Sequence, residues 1–143
     1  MKEVLRGFKK NRVATDPTAA DHRLRGRTYT IPFEAVWQAS VALSGGGLPR
    51  WSIVNADDQS GQIEARYRTL FFGLEIDVWI VVGLDEDAQT RVDVQASART
   101  ERTDLGRTKS VIRYFFRRLD RKLGALPSQI LDPTQPRAWR EPS

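Results

Sequence analysis

Three successive segments alternate apolar and polar side chains with a period of two: "QIEARYRTL" at 62–70, "LEIDVWIVVG" at 74–83 and "TRVDVQASA" at 90–98. A period of two sends neighbouring side chains to opposite faces of a strand. Three such runs in a row, separated by short turns, predict an antiparallel meander with one dry face and one wet face. The dry row is Ile63, Ala65, Tyr67 and Thr69, then Leu74, Ile76, Val78, Ile80 and Val82, then Val92, Val94, Ala96 and Ala98. The wet row sets Glu64, Arg66 and Arg68 against Glu75 and Asp77, and continues as Arg91, Asp93, Gln95 and Ser97. Opposite charges facing each other across strands contribute about 0.2–1 kcal/mol each, which is solvated-face chemistry. Trp79 and Val81 break the pattern, being apolar on the wet row. They are a candidate contact patch unless the N-terminal arm or the C-terminal tail covers them.

A dry sheet face needs a cover. "RTYTI" at 27–31 reads as a further strand, and Pro32 is placed to open a helix at its first position, where its missing N–H costs nothing. In "FEAVWQASVALS" the residues Phe33, Val36, Trp37, Ser40 and Leu43 or Ser44 share one helical face, and "GGG" at 45–47 ends it. "WSIVNADD" at 51–58 is a short strand. The last element is a helix over about 104–123, with Leu105, Ile112, Phe116, Leu119 and Leu123 on one stripe and Phe115 at its edge. The expected fold is therefore α+β: a four- to five-stranded antiparallel sheet in β-α-β-β-β-β-α order, with two helices on one face. A chain of 143 residues fits one domain. The expected boundaries are a flexible basic arm at 1–26, a domain at 27–126 and a proline-containing tail at 127–143.

The net charge of +5 is unevenly spread. Residues 1–27 carry eight basic and three acidic side chains, residues 28–98 four and ten, and residues 99–122 nine and three. An acidic middle between basic flanks points to anionic partners, or to internal pairing between the basic and acidic parts. The absence of cysteine removes disulfides, thiolate metal sites and cysteine nucleophiles. The sole histidine, His22, lies in the arm with no sequence neighbour to orient it as a base, so no catalytic residue is assigned. Asp85, Glu86 and Asp87 lack the spacing of a calcium loop, so no metal and no cofactor are expected. No apolar run is long enough to span a bilayer, and the start has no apolar leader core, so the expected location is cytoplasmic, with a membrane-peripheral position open.

Two groups of residues are candidates for binding. At the corner "RTERTDLGRT", Arg99 ends a strand, Thr103 or Asp104 can cap the following helix, and Arg102, Asp104, Gly106 and Arg107 with Arg99 form a possible anion site. Capping accounts for Asp104 but not for Gly106, which weakens a first helical turn unless a backbone or ligand approaches closely. On the helix itself, Arg113, Tyr114, Arg117, Arg118 and Arg121 lie opposite the apolar stripe. An arginine face with an aromatic ring suits an acidic protein or an anionic membrane surface. Nucleic acid would suit it too, but no nucleic-acid-binding motif accompanies it.

The runs "RTYTIPFEAVWQASVAL" and "RVDVQASARTERTDLGRTKSVIRYFFRRL" resemble the bacterial and plastid family catalogued as domain of unknown function 1499. Its hallmark is a strand ending in serine-rich residues and Arg, then Gly, then Asp-Leu-Gly, then Asn before a helix. Arg99 and Asp104-Leu105-Gly106 match; Ala98, Glu101 and Thr108 depart from it. The resemblance covers about 27–123 and implies no reaction or ligand. Many members of that family are envelope-associated through leader or membrane segments, which are not seen in this sequence, so the resemblance does not carry that association over. A looser likeness to helix-grip folds implies a long helix closing a curved sheet. The expected function is a non-enzymatic binding module using the basic helix face. The alternatives are a binder of a small apolar ligand or lipid between sheet and helix, and an enzyme with an Arg/Asp site at the corner.

Overall fold

The computed structural model describes residues 12–70, 73–99 and 105–131. The three alternating segments form β4 (Gln62–Arg68), β5 (Glu75–Leu84) and β6 (Thr90–Ala98), preceded by β3 (Trp51–Asp57). All pair antiparallel in sequence order. The registry matches the charge alternation: Arg66 stands opposite Asp77 and Arg68 opposite Glu75. The dry row is dry, with Ile63, Ala65, Ile76, Val78, Ile80, Val82, Val92, Val94 and Ala96 essentially removed from solvent.

The sheet is larger than the alternation alone predicts. β1 (Arg12–Ala14) and β2 (Arg27–Tyr29) both pair with β6, and β7 (Ile130–Leu131) adds to β2. The result is a seven-stranded antiparallel sheet in the order β3-β4-β5-β6-β2-β7, with β1 also on β6. β2 is the strand read at 27–31, whereas β1 and β7, three and two residues long, carry too little periodicity to be read from sequence. Residues 12–26, assigned to an arm, include β1 and a 3₁₀ turn (His22–Leu24) whose Leu24 is buried. β1 also changes the wet row. Gln95 lies between Ala14 on β1 and Trp79 on β5, and Gln95 and Ser97 are buried where solvent exposure was expected.

Two helices cover the dry face. α1 (Phe33–Ala42) buries Val36, Trp37, Ala39 and Ser40. Pro32 precedes α1 in an extended conformation (φ −60°, ψ 152°), one position earlier than expected, and its carbonyl accepts from Val36 N at 3.2 Å. The glycines do not cut α1 off abruptly. The chain widens into a π-type turn over Leu43–Gly47, closed by Leu48 N donating to Leu43 O at 3.0 Å, and Gly46 supplies a φ of +128°. α2 (Leu105–Leu123) crosses over and packs on β6 and α1. Its buried stripe is Val111, Ile112, Phe115, Phe116 and Leu119, so Phe115 is central where the sequence placed it at an edge. The ring of Phe115 stacks on Trp51 (centroids 5.7 Å), which explains the shift: β3 reaches under the helix from the far end of the sheet. The chain thus forms the α+β architecture expected, with an antiparallel sheet covered by helices.

The far half of α2 is latched to β2. Asp120 accepts from buried Tyr29 Oη at 2.5 Å and from Arg27 Nη2 at 3.2 Å, while the Arg27 guanidinium lies 5.1 Å from the Phe116 ring centre. Burial, reinforced by the Asp120 charge, pushes the Tyr29 phenol far above its ordinary value of 10.0.

Candidate functional site

The two sequence candidates, the corner and the helix face, meet in one place. The exposed first turn of α2 carries Gly106 and Arg107, and one to two turns on come Ser110, Val111, Arg113 and Tyr114. Together with Pro49, Arg50 and Tyr67 they line a cleft of about 810 Å³. A cleft of this size suits a small organic ligand.

The wall opposite the helix is built by tertiary packing. After the π-type turn, buried Leu48 anchors the chain and turns Pro49 and Arg50 outward. Arg50 takes a left-handed conformation (φ +64°), uncommon for a residue with a Cβ, and its carbonyl accepts from Arg68 N at 3.1 Å. The next residue, Trp51, is buried between Tyr67 (centroids 6.0 Å) and Phe115. Those two stacks set β3, β4 and α2 around the cleft. Arg50 and Tyr67 carried no functional signal in the sequence. Arg50 is an isolated arginine in a turn, and Tyr67 falls on the dry row of its strand. Only the ring stack shows that this end of the row opens beside the helix.

Three arginines, Arg50, Arg107 and Arg113, line the cleft, and no carboxylate does among the described residues. Arg113 is half-buried and donates through Nη1 to Asp21 Oδ2 at 3.3 Å. Asp21 also accepts from the backbone and side chain of Arg23. The Arg23 side-chain bond, then the Arg23 backbone N–H, with a smaller contribution from the charge of Arg113, holds the Asp21 carboxyl at about 2. It is therefore a permanent anion at neutral pH. Just beyond the cleft, the guanidinium groups of Arg117 and Arg118 lie 5.6 and 5.8 Å from the Tyr114 ring centre, and Arg118 Nη1 donates to Tyr114 Oη at 3.2 Å. Arg117 and Arg121 are exposed.

The other candidates go elsewhere. Arg99 turns to the acids of β5, reaching Glu75 at 3.4 Å and Asp77 at 3.1 Å, while Asp77 also takes Arg66 at 3.3 Å. The corner is thus divided, with Arg99 in the charge ladder of the sheet and Gly106 and Arg107 on the cleft. Arg102 and Asp104 lie outside the described residues. Trp79 and Val81 are half-buried and, with Ala14, Thr15, Pro17 and Gln95, border a second pocket of about 340 Å³ on the opposite face of the sheet. His22 is exposed in its 3₁₀ turn. Among the described residues no helix is long and apolar enough to cross a membrane.

Fold and site define an α+β domain whose antiparallel sheet is closed by one long helix, with a basic cleft at the start of that helix. The chain belongs to the family described as "Protein of unknown function (DUF1499)", whose model matches residues 8–119. The match reaches back past the 3₁₀ turn and β1, further than the resemblance read from sequence. No curated protein matches the chain.

Proposed function

We propose that this domain is a non-enzymatic binding module that engages an anionic surface of a partner through the basic side of α2. The observation that carries the reading is the continuity of positive charge. Arg107 and Arg113 line the cleft, Arg117 and Arg118 cluster on Tyr114 beside it, and Arg121 extends the same helix. Arginine is suited to this role because its planar fork binds carboxylates and phosphates bidentately and is more weakly hydrated than an ammonium. The stacking of Arg117 and Arg118 on one ring reduces the freedom they lose on binding. Val111, Ile112, Phe115, Phe116 and Leu119 of α2 are buried in the core, which leaves the polar side of the helix for a partner.

The test is association of the full chain with two polyanions, polyglutamate and vesicles containing anionic lipid, against neutral vesicles. Binding is expected to weaken steeply as salt rises, because exposed charges beyond about 10 Å are screened near 0.1 M. The double reversal Arg117→Glu/Arg121→Glu is expected to lower affinity at least about tenfold, or about 1.4 kcal/mol. Equal binding by the native and reversed proteins would refute the reading.

A further inference from the structure

We propose that the cleft between the Pro49-Arg50 turn and the start of α2 is a seat for a phosphate monoester, with its organic body lying along Tyr67 and Tyr114. The proposal rests on the reading of α2 as the binding side and names the chemical group that is recognised there.

Charge defines the class of ligand. Arg50, Arg107 and Arg113 line one cleft with no carboxylate on its wall among the described residues. The nearby acid, Asp21, meets Arg113 at 3.3 Å through one nitrogen, while among the described residues the other terminal nitrogen reaches the Ser110 hydroxyl at 3.4 Å. Arg50 has no ion-pair partner among the described residues. A carboxylate offers two oxygens and one charge, enough for a single guanidinium fork. A phosphate monoester offers three terminal oxygens and a charge of about −1.5 to −2 at neutral pH, which matches three guanidinium groups.

The backbone is shaped for the same ligand. Arg50 holds a left-handed φ of +64° in a turn pinned by the Arg50 O to Arg68 N bond. Such conformations persist where surrounding structure imposes them, and they concentrate at ligand clamps. Gly106, on the cleft wall in the first turn of a 19-residue helix, presents backbone with no Cβ in the way. The positive end of the helix dipole adds to the arginine field. A volume of about 810 Å³ leaves room beyond the phosphate for a body packed on the Tyr67 and Tyr114 rings.

The experiment uses the full chain and phenyl phosphate as the probe, with benzoate as the carboxylate comparison, followed by amide and arginine side-chain NMR and by calorimetry. Saturable binding is expected, with shifts concentrated at Arg50, Tyr67, Gly106 and Arg113, and with phenyl phosphate at least about tenfold tighter than benzoate. Arg50→Ala is expected to weaken phenyl phosphate at least about tenfold and Arg50→Lys to restore only part of it, because the ammonium keeps the charge but not the fork. Arg50 is exposed, so both variants should keep the native melting temperature; Gly106→Ala is a second variant that narrows the approach to the wall. Vesicles with phosphatidic acid and vesicles with phosphatidylglycerol distinguish the source. Preference for phosphatidic acid, relieved by phenyl phosphate, supports a lipid monoester. Equal binding to both vesicles with tight phenyl phosphate supports a free one. No saturable phenyl phosphate binding, or binding unchanged by Arg50→Ala, overturns the proposal. If polyanion association through Arg117 and Arg121 survives that result, the basic-face reading stands and only the phosphate assignment falls.

Discussion

Tyr29→Phe removes one hydroxyl from the latch between β2 and α2 and leaves the ring volume in place. Tyr29 is 0% exposed, and its hydroxyl donates to Asp120 at 2.5 Å. A hydrogen bond to a charged group contributes about 1.5–3 kcal/mol. Asp120 keeps Arg27 at 3.2 Å and some contact with water, which sets the expected loss near the lower end, about 1.5–2 kcal/mol. For a domain of this length that lowers the melting temperature by roughly 5 °C. Asp120→Ala should cost more, about 3–5 kcal/mol, because it strands both the buried phenol and the largely buried Arg27 guanidinium. Urea unfolding followed by circular dichroism and tryptophan fluorescence measures both, and a double-mutant cycle of Tyr29→Phe with Asp120→Ala isolates the pair, with an expected coupling of about 1.5 kcal/mol. The pH dependence has a definite sign. The folded Tyr29 value is raised above 10.0, so its contribution is complete below about pH 10 and is lost as the pH rises beyond it. A Tyr29→Phe protein within about 0.5 kcal/mol of the native one, with the same alkaline unfolding curve, would refute the latch as an energetic feature.

Gly61→Ala is expected to destabilise by about 3 kcal/mol, because φ is +70° there and a Cβ would overlap the Val82 carbonyl oxygen in the β4–β5 pairing; urea midpoints check it. Asp21 should titrate by carboxyl NMR at about 2, below its ordinary 3.8. Its folded value is depressed, so its contacts with Arg23 and Arg113 hold above about pH 4 and are lost as the pH falls toward 2. Asp21→Asn keeps a cap acceptor for the 3₁₀ turn but releases Arg113 from its internal anion, and is expected to tighten phenyl phosphate binding in the calorimetric titration.

Much of the fold was legible because its determinants are local. β6 runs from Thr90 to Ala98, the span its alternation predicts, and the same alternation puts Arg66 and Asp77 on one face, where the strand register pairs them. Helix α2 is legible for the same reason, since the 3.6-residue stripe of Ile112, Phe116 and Leu119 depends only on spacing. The alternation at 27–31 reaches β2 as well, but β1 and β7 escape this logic. Those two strands are held by the edge they join, and nothing within them repeats.

The candidate site divides along the same line. The sequence by itself determined that arginines and a tyrosine gather on one side of the last helix, because helical spacing decides which side chains share a face. It also singled out Gly106 as a residue whose cost in a first turn needs a reason. Only the tertiary structure decided that Arg99 leaves the group for Glu75 and Asp77, and that Arg50 and Tyr67 join it. The physical reason is the packing of Trp51 between Tyr67 and Phe115. That contact spans the chain from β3 to α2, and a cleft made by such a contact has no signature in the local order of residues.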